Sequence, residues 1–323
     1  MTLGDWRRVT KRYPCPVCGG NGWCAVSSNG DVCLCMRTES DWPAKQGMGG
    51  HLHRLSMEQH IPSPPTRMPS RPLLPTRKRS EISDWILDQL SLRRVHLEHL
   101  RGTQRQLSDA QIERRRYRSW PGYDDRRHLA LIAWNTFGEA MCGFPGFYVD
   151  DDTEPSFVGP LGLLLPIRKF DGDIAAFQVR PDAADYGKRL WLSSSDRWFG
   201  TGSAAPAHMS RPASGAYAST LYVVEGVLNA DICSDRLGAV CVGLSGMTNW
   251  RSVDWRGTIA ELHVMTVIVA LDRDTGRSRV EQERTLLRDE CSRYADTRIA
   301  TWDGELAKGF DDALNGGLPF VIQ

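Results

Sequence analysis

The residues best suited to chemistry sit in the back half of the chain. Glu225 closes the apolar run LYVVE and is followed at once by Gly226, and 47 residues later Asp272 and Asp274 close VMTVIVAL as Asp272-Arg273-Asp274. Carboxylates at two strand ends can surround one or two Mg²⁺ ions, since oxygen ligands and a phosphate-bearing substrate are the usual setting of that cation. In Asp-x-Asp the two side chains point the same way when the chain is extended, and Gly226 allows metal or phosphate to approach the backbone. A further acidic pair, Asp311-Asp312 in AKGFDDAL, either completes the site or caps a helix.

A second chemistry gathers near the amino terminus, where five of the nine cysteines lie between Cys15 and Cys35. Cys15-Pro-Val-Cys18-Gly-Gly forms a knuckle whose two thiolates can share one tetrahedral ion. Cys24, Cys33 and Cys35 follow, and an Asn29-Gly30 turn would let a short hairpin return them to the knuckle. Four sulfurs with no open position describe structural zinc. The expected ligands are Cys15, Cys18, Cys24 and Cys35, with Cys33 as the substitute for Cys24 or Cys35 and His51 and His53 as more distant candidates. An odd cysteine count without an export signal argues against a disulfide framework.

These groups need elements to hold them. Ile82, Trp85, Ile86 and Leu90 recur at helical spacing, continued by Leu97 and Leu100, and Ser108-Asp109 opens a short helix whose end, Arg114, Arg115, Arg116 and Arg118, is strongly basic. LLLPI and IAAFQV flank Asp171-Gly172 and read as a hairpin. Beyond it, LYVVE, AVCVGL, VMTVIVAL and TRIATW alternate with helical stretches near 227–236 and 277–294, which predicts a parallel α/β sheet covered on both faces. Ligands of such sheets bind beyond the carboxyl ends of the strands, where Glu225 and Asp272 lie.

Composition bounds the rest. A chain of 323 residues, 41% hydrophobic and 24% charged, suits a globular protein of about two domains. The longest apolar run, Val264 to Leu271, is too short to span a bilayer and no apolar segment follows the basic start, so a soluble, cytoplasmic protein with no membrane partner is expected. The net charge of +1 conceals a balance of +9 over residues 1–130 and −8 over 131–323, which suits a polyanion-binding front joined to a carboxylate-rich body. Residues 1–57 are too poor in aliphatic side chains to hold a core without metal, and residues 58–80, rich in proline and basic residues, read as an extended linker.

VVEG and ALDRD, with the αβ spacing between them, resemble a TOPRIM domain, the fold of bacterial-type primases, topoisomerases and some nucleases. More of the chain is similar to DnaG-type primases. LLLPIRKFDGDIAAFQVRPD resembles the hairpin that ends in a functional arginine, here Arg180; GKRLWLSS resembles the lysine-containing segment, here Lys188; AKGFDDAL resembles the acidic motif beyond Asp-x-Asp, with Asp311 matching and Gly309 standing where another Asp is common. CPVC…GWC…LCMRTES followed by HLHRL looks like the zinc ribbon of primases encoded by phages and other mobile elements.

The resemblance implies an α/β chain with a zinc ribbon (1–57), a Pro/Arg-rich linker (58–80), a basic helical module (81–124), a primase-type α+β subdomain (125–215) and a TOPRIM domain (216–323). It implies a DNA primase that makes short RNA primers from NTPs on single-stranded DNA. Glu225, Asp272 and Asp274 would hold Mg²⁺ or Mn²⁺, with Asp311, Arg180 and Lys188 beside them. Arg114, Arg115, Arg116, Arg118 and Trp23 would contact nucleic acid. The second basic residue that primases place after the lysine segment has no clear counterpart in DRWFGTGSAAPAH, and any coupling to a replicative helicase would occur in trans or through the amino-terminal region. The competing readings are a metal-dependent TOPRIM nuclease and a zinc-ribbon DNA-binding protein with an inactive TOPRIM core.

Overall fold

The computed structural model describes residues 6–9, 13–21, 23–27, 30–44, 49–55, 71–150, 154–184, 187, 189–215, 219–273 and 278–323, so Asn29, Lys188 and Asp274 lie outside the described residues. The chain divides into two compact units, Met1–Pro69 and Ser70–Gln323.

In the first unit β1 (Trp6–Arg8), β2 (Ala25–Ser27), β3 (Val32–Cys35) and β4 (His51–Arg54) form one antiparallel sheet in chain order. Its buried centre consists of Val9, Val26, Cys15, Cys24, Cys33 and Cys35, so sulfur occupies the place that aliphatic side chains take in a larger domain.

The second unit opens with α1 (Thr76–Asp88), α2 (Arg94–Arg101), α3 (Asp109–Arg115), β5 (Arg118–Trp120) and α4 (Tyr123–Phe137). The strands β6 (Phe147–Val149), β7 (Pro155–Phe157), β8 (Gly162–Arg168), β9 (Ile174–Pro181), β10 (Leu190–Trp191) and β11 (His208–Ser210) follow. The remainder is β12 (Thr220–Glu225), α5 (Val227–Leu237), β13 (Val240–Leu244), α6 (Trp255–Glu261), β14 (Thr266–Val269), α7 (Ser278–Cys291), β15 (Asp296–Trp302), α8 (Phe310–Asn315) and β16 (Phe320–Ile322). The hairpin expected at Asp171-Gly172 joins β8 and β9 in an antiparallel sheet ordered β10-β9-β8-β5.

The α/β expectation holds for the second sheet, ordered β11-β13-β12-β14-β15-β16, in which β13, β12, β14 and β15 run parallel. Alternation along the strands divides its two faces. Leu221, Val223, Val267 and Val269 pack with Trp255 and Ile259 of α6 and Leu287 of α7. Tyr222, Val224, Ile268 and Ala270 pack with Ala230 and Cys233 of α5 and Phe310 and Ala313 of α8. Both edge strands, β11 and β16, pair antiparallel.

Three boundaries differ from the sequence reading. The extended linker of 58–80 ends earlier: Leu74 donates its N–H to Gly143 and packs on the core, and α1 is under way by Thr76, with Arg79 and Ser80 buried. The helices of 81–124 form no separate module. Ile82, Ile86 and Leu87 share a core with Trp120, Leu164 and Phe177, while Leu100, Leu107, Ile112 and Tyr117 pack against β8 and against Val227, Leu228 and Ile232 of α5. Strand β11, placed by sequence before the last domain, joins that domain's sheet through His208↔Gly243.

The arginine run expected to grip nucleic acid is consumed internally. Helix α3 starts in a capping box formed by Ser108 and Gln111, and its end is wedged between aspartates spaced four apart on α1 and on α5. Arg114 pairs with Asp235, Arg115 with Asp231 (2.7 Å) and Asp235 (3.1 Å), Arg116 with Asp84 (2.5 Å) and Asp88, and Arg118 with Glu113 (3.1 Å). Fully buried Asp231 also accepts hydrogen bonds from Ser210 Oγ (2.8 Å) and Tyr117 Oη and meets His208 Nε2 at 3.1 Å. Arg115 and His208 hold its carboxyl well below the usual range, against the opposing effect of burial. Replacing one partner leaves the other charge buried without its match. Asp231→Asn is therefore expected to lower stability by about 3 kcal/mol, measured by denaturant titration at neutral pH.

Candidate active site

The parallel pairing of β12 with β14 brings the acidic residues to one end of the sheet. Val223 lies opposite Val269, and Ala270 donates its N–H to Val223 O at 2.8 Å. Glu225 on β12 and Asp272 just beyond β14 therefore emerge side by side. The β15–α8 loop closes against them through the hydrogen bond from Arg273 N to Lys308 O (2.8 Å). This loop delivers Asp311, in the first turn of α8 after its N-cap Gly309. Asp311 is fully buried, Oδ2 accepts from Arg105 Nη1 at 2.7 Å, and Oδ1 has no donor in hydrogen-bonding geometry.

The electrostatics record this crowding. Burial, then Glu225 and Asp311, push the Asp272 carboxyl up to about 7 against the pull of Lys308 and Arg189. Burial and Asp312 push Asp311 up to about 6 against Arg105. Among the described residues, Glu225 and Asp311 lie near enough to Asp272 to repel its charge, without the three drawing their oxygens within 4.8 Å of one another as a set. A half-buried group of repelling carboxylates with an orphaned oxygen suits a divalent cation, whose charge and ligand demand would answer both.

Sequence reasoning named Arg180 but missed two other cations that face this pocket. Arg105, in the α2–α3 loop, bridges Asp311 and Asn229 Oδ1 (3.3 Å). Arg189 adjoins Lys188 in GKRLWLSS, so the basic pair was a usable signal. Arg180 lies on β9 opposite Leu163, and its Nη1 meets Nε2 of His99 on α2. Burial, Arg180 and Arg105 push that imidazole down to about 4, so it is neutral at physiological pH. Burial, Arg105 and Arg189 lower the pKa of Arg180 in turn, which marks the three guanidiniums as one positive cluster.

In the first unit the Sγ atoms of Cys15, Cys18, Cys24 and Cys35 all lie within 4.8 Å of one another. Cys18–Cys24 is 3.8 Å and Cys24–Cys35 3.9 Å, against about 3.8 Å along the edge of a tetrahedron with 2.3 Å Zn–S bonds. Met36 N–H and Thr38 N–H point at the sulfurs of Cys24 and Cys35. Against the effect of burial, the amides of Arg37 and Thr38 draw the Cys35 thiol down to about 6. The four fit structural zinc. Cys33, 3.5 Å from Cys15, stands outside the set. His51 Nδ1 lies 2.9 Å from Ser40 O and His53 Nε2 3.1 Å from Thr38 O, and neither ring belongs to the group that the four cysteines form. Trp23 is 73% exposed, with Arg8 over its ring at 5.5 Å, and offers a face for stacking.

Solved structures share this architecture. A DNA primase domain from Pseudomonas aeruginosa matches with a TM-score of 0.52 at 15% identity, over 76% of this chain and 76% of that one. The zinc-binding and RNA polymerase domains of the Aquifex aeolicus primase match with a TM-score of 0.51 at 14% identity, over 99% and 81%. A DnaG catalytic core matches with a TM-score of 0.50 at 16% identity, over 75% and 80%. The chain has a DnaG-type primase fold. No protein-family model and no curated protein matches the sequence. No helix among the described residues is long and apolar enough to cross a membrane.

Two outcomes check the site. Asp272 binds its proton more tightly folded than unfolded, so stability falls as pH rises from about 4 through about 7. In chelator-treated protein, Asp272→Asn should raise the melting temperature at pH 8, and the gain should vanish by pH 4. Zinc removal should erase hydrogen-exchange protection over residues 13–55 while residues 71–323 keep theirs, and Cys35→Ala should lose zinc where Cys33→Ala retains it.

Proposed function

We propose that this protein is a DNA primase that synthesises short RNA primers from NTPs on a single-stranded DNA template. The observation that carries the reading is the convergence of Glu225, Asp272 and Asp311 on one end of a parallel sheet, faced by Arg105, Arg180 and Arg189, within a DnaG-type primase fold. Glu225, Asp272 and Asp274 would hold Mg²⁺ or Mn²⁺, with Asp311 extending the site. Bound there, the cations would lower the pKa of the primer 3′-hydroxyl and neutralise charge on the incoming nucleotide's phosphates.

The protein's own groups do the positioning. Arg180, held by neutral His99, presents its guanidinium to the triphosphate or the template backbone. On the sequence resemblance, Lys188 would add a second positive charge there. The buried walls behind Asp272 and Asp311 limit water around the reacting phosphates and strengthen each charge interaction there. In the zinc-ordered unit, Trp23 would stack on a template base. The TOPRIM reading of residues 216–323, service to a phage, plasmid or other mobile element, a cytoplasmic site of action and a helicase acting in trans belong to the same proposal and rest on the sequence resemblance.

Purified protein supplied with single-stranded DNA, NTPs and Mg²⁺ should yield short oligoribonucleotides. Asp272→Ala should reduce the yield about 100-fold or more, since loss of even an outer-shell partner of a metal costs about 10–100-fold. Undiminished synthesis by a folded Asp272→Ala protein would overturn the proposal, and Mg²⁺-dependent cleavage of DNA without any need for NTPs would transfer the site to a nuclease.

A further inference from the structure

Sheet order gives the acidic pocket two sides. Asp272 stands on the β14 side of Glu225, and β13 lies on the other. Glu225 is paired with Leu244, the last residue of β13, whose carbonyl accepts from Gly226 N–H at 2.7 Å. Ser245 therefore leaves the sheet one strand away from Glu225. Gly246, at φ +145, turns the chain there in a conformation that side-chain-bearing residues rarely adopt.

Strand β9 meets Ser245 from the antiparallel sheet. Phe177 and Val179 point into the core shared with α1 and α4, whereas Ala176 packs with Val227 and Leu228 at the start of α5. Gln178 and Arg180 share that second face by alternation. Gln178 Nε2 donates to Ser245 Oγ at 2.7 Å, and Gln178 is 2% exposed. Its Oε1 has no donor among the described residues, and no described acceptor takes the proton of the partly exposed Ser245 hydroxyl.

A buried amide oxygen without a donor is costly to keep, so the pair marks a place for a ligand. Its chemistry is specific. The orphaned acceptor needs an O–H or N–H, which an ionised phosphate chain does not carry. The Ser245 proton needs an acceptor. One hydroxyl group answers both with a single atom, whereas a base would have to bring an amino group and a ring nitrogen together. In a nucleotide whose phosphates lie at Glu225 and Asp272, the sugar is the next group along, and adjacent strands stand only about 4.8 Å apart. We infer that Ser245 and Gln178 receive a sugar hydroxyl of the incoming nucleotide, so that the site selects its substrate by the sugar. This inference rests on the primase reading.

The test is calorimetric titration of the full zinc-loaded chain with ATP, 2′-deoxy-ATP, 3′-deoxy-ATP and CTP, in Ca²⁺ so that no turnover occurs. Primer synthesis in Mg²⁺ is measured on the same preparations. Ser245→Ala removes the hydroxyl from a partly exposed position, and Gln178→Met keeps the length of the side chain without its amide. Wild-type protein should bind ATP tenfold or more above one of the two deoxy analogues, which identifies the hydroxyl. Each variant should bring that ratio within threefold by weakening ATP and CTP alike, with Ser245→Ala melting as the wild type does; should Gln178→Met not fold, Ser245→Ala decides alone. A wild-type protein that makes primers but binds ATP and both analogues within twofold of one another, or whose ratios Ser245→Ala leaves unchanged, would overturn the inference and leave the primase reading standing. Equal weakening of ATP and both analogues would also overturn it, as would weakening of ATP with CTP spared, because the contact would then lie elsewhere than on the sugar. A wild-type protein that neither binds ATP nor makes primers would remove both readings.

Discussion

Like charges held together in a half-buried place repel, and the second unit is organised around that repulsion. Parallel pairing of β12 and β14 sets Glu225 beside Asp272, and α8 adds Asp311. The carboxyls respond by holding protons, up to about 7 for Asp272 and about 6 for Asp311. What keeps the cluster compatible with a folded protein is a matching positive wall delivered from elsewhere in the chain. Arg105 comes from the α2–α3 loop, Arg180 from the end of β9, Arg189 from the segment before β10, and Lys308 from the turn before α8.

That wall explains why the amino-terminal helices are welded to the sheet domain instead of standing apart. Arg105 reaches Asp311 because α2 and α3 are anchored on α5, by Leu100, Leu107, Ile112 and Tyr117 in the core and by Arg114 and Arg115 on Asp231 and Asp235. Gln104 and Arg105 also accept hydrogen bonds from Asn315 on α8 through their carbonyls. At the other end of the same helical layer, His96 and His99 lie one turn apart on α2. His96 meets Asp182 at 2.7 Å and His99 meets Arg180, so one helix face fixes the end of β9. Packing, ion pairing and site geometry are here a single arrangement.

The first unit solves a different problem. With little aliphatic material, it gains its order from four sulfurs at the spacing of a zinc tetrahedron, around which short strands need only a few further contacts. A ligand with such demanding geometry substitutes for a core, and it leaves side chains such as Trp23 free to face outward.

Chemical identity and periodicity were legible in the chain itself. The knuckle and its partners Cys24 and Cys35, the strand-ending Glu225 and Asp272, the Asp171-Gly172 hairpin and the alternating β/α order all follow from local rules of spacing, turn chemistry and hydrophobic repeat. Long-range electrostatics were not legible. Arg114, Arg115 and Arg116 read as a cationic face because their partners, Asp84, Asp88, Asp231 and Asp235, lie far away in sequence, and only folding shows that these charges pair with one another. Arg105 carries no local signature for the same reason: a cation acquires its role from whichever carboxylates the tertiary structure sets near it. Sequence determined which groups were available and which elements would carry them; strand order and helix docking decided which charges meet, because Coulombic pairing depends on distance in space and is indifferent to distance along the chain.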